Sequence, residues 1–423
     1  MEQKLFTERL PNGLQVAVEE IPSLRSVSLG LWVRQGSRHE TDEQAGLSHL
    51  IEHLVFKGTS HRSCLEIAEA IDSMGGNLDA FTGREYTSYI AKVLDDHFED
   101  ALSLLTEVVF HPKLDAADLE LEREVILEEL KMVQDSPEEI AHETFIRTFF
   151  NTHPLGRSIL GNESTVKSFS LSDVISFFHD HYRPGRTLLA VAGNVTSGDV
   201  FEIAQRYLGG MEAGGRQAVE TPPEYRPRSE LLEREQMEQV QLLLGANAFG
   251  KTDSRRYALD TLNTYLGGSI SSRLFQHVRE RRGLAYAINS FTNTFKDCGL
   301  LGVYAATSPD RVEELVEVVL QELHAVAGGD IDPAHIERVK TFVKGDVMLG
   351  LENTVSRMAF LARQMIYFGA VTQMDEVLAK LDAVTVDDVA AIAGDIIHGK
   401  PFTVAAVGNQ DGWRERLAKI FPN

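Results

Sequence analysis

Two imidazoles and a carboxylate fall within five residues, His49-Leu50-Ile51-Glu52-His53. On a helix, His49 and His53 stand one turn apart, close enough for one ring nitrogen of each to reach a single Zn²⁺. Glu52 then lies beside them, where it can take a proton from a water at the metal. Leu47, Leu50, Ile51, Leu54 and Val55 recur at i, i+3, i+4, i+7 and i+8 and predict that helix. Its apolar face belongs on a core and its His/Glu stripe on a cavity. A solvated polar face in a chain with 14 histidines gives the same pattern by chance, so the chemistry needs further residues.

A catalytic zinc site takes a third protein ligand and keeps a fourth position open. Residues 115–134 (DAADLELEREVILEELKMVQ) have the composition and period of a strong helix. Leu119, Val125, Ile126, Leu130 and Val133 form its expected apolar face, with Glu122 and Glu129 in the middle of it. Glu120, Arg123, Glu124, Glu128 and Lys131 are expected on the solvated side. Inward carboxylates require a cation or hydrogen bonds. Zinc would supply the cation for Glu129; buried Arg or Lys partners would serve both glutamates as well.

The motif is the inverted zincin arrangement H-x-x-E-H, and the chain resembles the pitrilysin, insulin-degrading enzyme and mitochondrial processing peptidase group of zinc metalloendopeptidases. In that family the third ligand follows the motif by about 76 residues and a second glutamate precedes it by seven; here Glu129 follows His53 by 76 and Glu122 precedes Glu129 by seven. Residues 75–89 (GGNLDAFTGREYTSY), 154–161 (PLGRSILG) and 272–286 (SRLFQHVRERRGLAY) match as well, so the resemblance covers essentially the whole chain. It looks closest to the short-chain bacterial and processing-peptidase-like branch.

The resemblance implies one zinc per chain, held by His49, His53 and Glu129, with Glu52 as the catalytic base and Glu122 supporting a ligand from behind. Arg279 and Tyr286 match an Arg/Tyr pair that stabilises the oxyanion of the tetrahedral intermediate. Without the family, Arg279 is one charge in a basic stretch that a surface salt bridge would satisfy. Ala80, Phe81 and Thr82 would lie on an edge strand that pairs with the substrate backbone. Asp79 stands where many relatives have Asn, a change that main-chain pairing survives and a side-chain amide contact does not. Without the family, this segment is an ordinary strand rich in β-formers.

Long-chain relatives enclose a chamber with four such domains. Two domains here imply a homodimer, with Arg279 and Tyr286 of one subunit completing the zinc site of the other. The expected activity is a zinc metalloendopeptidase cleaving peptides or unfolded, presequence-like segments inside an enclosed chamber. The alternatives are a catalytic subunit active only with a different partner chain and a non-catalytic core-type subunit. The second is disfavoured by the complete residue set.

At 423 residues the chain is too long for one ordinary core. Residues 209–229 are rich in Gly, Pro and charge and read as a linker. The flanking halves echo each other at an offset of about 214: residues 27–33 with 240–246, 96–105 with 310–319, and 189–194 with 404–409. The expected fold is therefore α+β: two homologous domains, each a mixed or antiparallel sheet packed with helices, related by internal duplication. Their limits are 1–212 for the metal-binding domain, 213–229 for the linker and 230–423 for a second domain without a metal site. Asn263, Leu266 and Gly267 occupy the positions equivalent to His49, Glu52 and His53, so only the first half can bind metal.

Hydrophobic content of 43% and charged content of 25% fit a globular protein, and no run of 18 apolar residues exists to span a membrane. The net charge of −22 disfavours nucleic acid and anionic membrane and suits basic peptides. Cys64 and Cys298 are the two cysteines, too few for a disulfide framework. The N-terminal residues carry neither an apolar signal core nor an organelle presequence. A cytoplasmic protein is expected.

Overall fold

The computed structural model describes residues 4–214, 220–235 and 237–421. Residues 215–219 of the expected linker, and the expected domain ends at residues 1–3 and 422–423, lie outside them. The chain forms two compact units, and each draws on both halves of the sequence.

The first unit comprises Met1–Lys131, Arg157–Glu220 and Met348–Met374. Its sheet has six strands, β1 (Lys4–Arg9), β2 (Gln15–Glu20), β3 (Ser26–Val33), β4 (Asn77–Thr82), β5 (Thr87–Leu94) and β6 (Thr187–Gly193), in the order β1-β2-β6-β3-β5-β4. Only β2 and β6 are parallel. The central strands β3 and β6 are near-continuous apolar runs because both of their faces are covered. On one face Leu29, Leu31, Val191 and Tyr89 pack with Leu50, Ile51 and Leu54 of the Leu47–Leu54 helix and with Leu102 and Leu105 of the Phe98–Phe110 helix. Strand β4 pairs with β5 alone and ends the sheet beside the Leu47–Leu54 helix.

The second unit comprises Met132–Gly156, Thr221–Val347 and Asp375–Asn423. Its strands are β7 (Ser229–Glu233), β8 (Val240–Ala248), β9 (Ala287–Thr294), β10 (Gly299–Thr307) and β11 (Thr403–Gly408), in the order β7-β11-β8-β10-β9. With β7 parallel to β11 and the other pairs antiparallel, this repeats the first sheet without a counterpart of β1. The duplicated α+β architecture expected from the sequence is the one present. No helix among the described residues is long and apolar enough to cross a membrane.

The units do not follow the sequence halves, because each sheet takes the cover for its second face from the other half. The Thr354–Phe368 helix sets Met358, Leu361, Ala362 and Met365 against Trp32, Leu188, Ala190 and Ala192 of the first sheet. The Pro137–Phe150 helix sets Phe145, Ile146 and Phe149 against Leu243, Leu300, Ala405 and Val407 of the second. Glycine makes room for both. A Cβ at Gly245 would come within 2.3 Å of the Phe145 ring, and one at Gly30 within 2.9 Å of the Met358 sulfur. Gly245→Ala is accordingly expected to lower stability by about 1–3 kcal/mol through overpacking, read as a reduced denaturation midpoint. An unchanged midpoint would mean that this helix does not pack tightly on β8.

Candidate metal centre and active site

The Leu47–Leu54 helix buries Leu47, Leu50, Ile51 and Leu54 in the first core, which fixes its roll and leaves His49, Glu52 and His53 half-buried on the opposite stripe. The Ala116–Asp135 helix presents Glu122 and Glu129, two turns apart, to that stripe. The residues carrying the inverted zincin motif and the two glutamates are thus brought together.

Nε2 of His49 lies 3.8 Å from Glu129 Oε2, and Nε2 of His53 lies 3.8 Å from Glu129 Oε1. Among the described residues, His49, His53 and Glu129 form the one group of three whose ligand atoms converge, all within 4.8 Å of one another. These separations are too long for hydrogen bonds, and a tetrahedral zinc with bonds of ~2.0–2.1 Å needs ligand atoms only slightly closer, ~3.3 Å apart. Oε2 of Glu129 and Nδ1 of His49 are buried without a hydrogen-bond partner. Nδ1 of His53 is 2.8 Å from Glu122 Oε2, which places the ring proton on Nδ1 and aims the Nε2 lone pair at the Glu129 carboxylate. Two electron-rich groups facing each other call for a cation between them. The donor set fits Zn²⁺.

Burial, and then the neighbouring His53, push the His49 pKa down to about 4, so at neutral pH its ring is uncharged and can donate a lone pair. The Glu52 carboxyl is raised above its ordinary value, first by burial; Glu129 and Asp79 add to the rise, while the Thr82 hydroxyl and His53 oppose it. Glu122 is 2% exposed, and Lys57 Nζ, one turn beyond His53, lies 2.5 Å from its Oε1. The Lys57 contact holds the Glu122 carboxylate, which in turn orients His53.

On the Ala116–Asp135 helix, Glu128 is exposed and Glu129 turned inward as helical phase requires, but two neighbours depart from the pattern. Arg123, expected in solvent, is buried because its guanidinium donates to the carbonyls of Val166 and Phe169 at the end of the Glu163–Ser168 helix. Val125, expected in the core, is 39% exposed on the side turned away from it.

Strand β4 is an edge strand in the sheet order. Thr82 is buried with its hydroxyl donating to Glu52, Ala80 packs on the first core, and Phe81 is exposed. Asp79 is exposed, and its Oδ1 accepts from the Ala80 amide at 2.9 Å. Lys57, to which the motif assigns no part, joins the site, and its i+4 spacing from His53 is the available signal; Thr82, expected to pair with substrate through its backbone, also serves Glu52 through its side chain.

Arg279 and Tyr286 belong to the second unit. Arg279 sits on a π-helical turn, Phe275–Glu280, with its guanidinium carbon 4.7 Å from the ring centres of both Phe275 and Tyr286. Its Nε also lies 3.9 Å from Glu280 Oε1, a surface ion pair with the next residue. Tyr286 is 77% exposed. The positions equivalent to the zinc motif, Asn263, Leu266 and Gly267, end the Arg256–Leu266 helix, and a Cβ at Gly267 would come 2.3 Å from the Ser290 nitrogen. No metal-binding group arises there among the described residues.

A duplicated α+β chain with a single H-x-x-E-H helix defines a class of proteins, and comparison with known proteins narrows it. Residues 15–163 match the family Insulinase (Peptidase family M16), and residues 168–343 match the Peptidase M16 inactive domain. The uncharacterized zinc protease YmxG of Bacillus subtilis is 38% identical over 382 residues, 90% of this chain and 93% of that protein. An uncharacterized zinc protease of Mycobacterium leprae is 39% identical over 406 residues, 94% of this chain and 90% of that one. A crystal structure of a protease from Helicobacter pylori shares the fold, with a TM-score of 0.90 at 22% identity over 96% of this chain and 99% of that one. The chain belongs to the insulinase family, peptidase family M16.

Proposed function

We propose that this protein is a zinc-dependent metalloendopeptidase with one metal site per chain. The observation that carries the reading is the convergence of His49, His53 and Glu129 with Glu52 alongside them. The names of the relatives, zinc proteases, agree with it.

In this reading His49, His53 and Glu129 would hold Zn²⁺, which when bound would supply a Lewis acid to the scissile carbonyl and the attacking water. Glu52 takes a proton from that water as its oxygen bonds to the carbonyl carbon, and returns it to the amine nitrogen as the C–N bond breaks. Burial raises the affinity of Glu52 for that proton, and Thr82 holds the carboxylate in place. Glu122, paired with Lys57, fixes the His53 ring. The free edge of β4, at Asp79, Ala80, Phe81 and Thr82, hydrogen-bonds the substrate main chain as an added strand. Arg279 and Tyr286 stabilise the negative charge that develops on the carbonyl oxygen.

We further assign the working form as a homodimer enclosing a chamber, with Arg279 and Tyr286 acting on the partner's zinc site. Its substrates are peptides and unfolded or presequence-like segments, with basic ones favoured by the charge of −22, as for a processing peptidase. Nucleic acid and membrane are not among its partners. Cys64 and Cys298 form no disulfide among the described residues, which fits a reducing cytoplasm.

Metal analysis of the purified protein, together with cleavage of a quenched peptide library, tests the reading. One zinc per chain and cleavage at internal bonds are expected. A metal-replete protein that cleaves none of the library would overturn it.

A further inference from the structure

The stretch PLGRSILG has no part in the catalytic reading, yet it grips the segment from which the metal-binding helix starts. That helix has eight residues, too few to hold itself in water. It opens at Gly46, with φ of 98° and no side chain to cap the free amides. The cap comes from six residues upstream. Glu40, 4% exposed, accepts from the Gly46 amide at 3.0 Å through Oε2 and from the Ser48 amide at 2.7 Å through Oε1. A carboxylate here satisfies orphan donors and meets the positive end of the helix dipole. Ser48 is the residue next to His49.

Glu40 is in turn held by Arg157. One guanidinium nitrogen donates to the Glu40 carbonyl at 2.5 Å, and Nε and the other nitrogen donate to Asp42 Oδ1 at 2.9 and 2.6 Å. Close by, the Thr165 hydroxyl donates to the Ala45 carbonyl at 2.8 Å. Gly161, with φ of 75°, passes so near that a Cβ there would meet the Ala45 oxygen at 2.2 Å. Residues 157–165 thus clasp 40–46 at several points.

We infer that Glu40 and Arg157 are positioning residues for the metal centre: they set the depth and rotation of the Leu47–Leu54 helix and thereby the placement of His49. The inference rests on the reading of His49 and His53 as ligands. Neither residue touches substrate or metal. Their effect is exerted through the backbone at residues 46–48.

The test compares Glu40→Gln and Arg157→Met with Thr196→Ala in the full chain. Thr196 caps the Ser197–Leu208 helix by accepting from the Asp199 amide, and that helix packs on the Phe98–Phe110 helix and on β2, so its loss costs helix stability without touching the contacts of Glu40 or Arg157. Zinc affinity is measured by chelator competition, the ligand field by visible absorption of the Co²⁺-loaded protein, and folding by thermal denaturation. Glu40→Gln and Arg157→Met are expected to bind zinc about tenfold more weakly, with an altered Co²⁺ spectrum. Thr196→Ala is expected to lower the melting temperature and leave both metal readouts unchanged. Wild-type zinc affinity and Co²⁺ spectrum in the folded Glu40 and Arg157 variants would overturn the inference, as would an equal loss of affinity in Thr196→Ala. Should Glu40→Gln fail to fold, Arg157→Met, which keeps the carboxylate, decides the matter alone. A wild-type protein that binds no zinc would instead overturn the ligand assignment.

Discussion

Glu52→Gln protein is expected to bind zinc as wild type does and to hydrolyse peptides about 10²–10⁴-fold more slowly, the usual worth of a general base. The substitution is isosteric, and the glutamine oxygen can still accept from the Thr82 hydroxyl. What it removes is the ability to carry a proton. Because Glu52 is not among the three converging ligand atoms, metal content separates this loss from damage to the site. Measured together, metal content and turnover leave little room: a variant with wild-type turnover refutes the assignment of the base, and a variant that has lost its zinc shows that Glu52 supports the metal instead.

Tyr286→Phe is expected to lower kcat by ~10²-fold with little change in KM, since a hydroxyl aimed at the developing oxyanion acts in the transition state rather than on bound substrate. The residue is 77% exposed, and its loss of one oxygen should leave stability unchanged. Mixing this variant with Glu52→Gln then asks which chain the tyrosine serves. If it acts across a dimer, each exchanged pair holds one site with both defects and one with neither. Random exchange in an equal mixture would restore about a quarter of wild-type activity. No recovery despite demonstrated subunit exchange would place Tyr286 at the zinc site of its own chain.

The candidate site was legible where a helix imposes a period. His49 and His53, four apart, share one stripe of a helix, and helical phase alone distinguishes Glu129, turned inward, from Glu128, in solvent. The repeat was legible because the same apolar strands recur in both halves. Arg123 was misread since phase reports whether a position is inward, while burial of a guanidinium depends on carbonyls elsewhere in the chain, here those of Val166 and Phe169. The helices Pro137–Phe150 and Thr354–Phe368 were equally hidden in one respect: apolar spacing says that a helix is covered, but not which sheet covers it. The spacing of Arg279 and Tyr286 carries no chemistry of its own; their stacking is a tertiary fact. The Glu40 cap left only a negative trace, a helix beginning at a glycine with nothing local to finish it.

The crossing of those two helices bears on how the molecule comes apart. Each sheet has both faces covered only while the chain is whole, because the half that supplies the strands does not supply the helix on the second face. A scissor cut between Leu208 and Ser229 would separate two fragments of sequence, but not two bodies capable of independent existence.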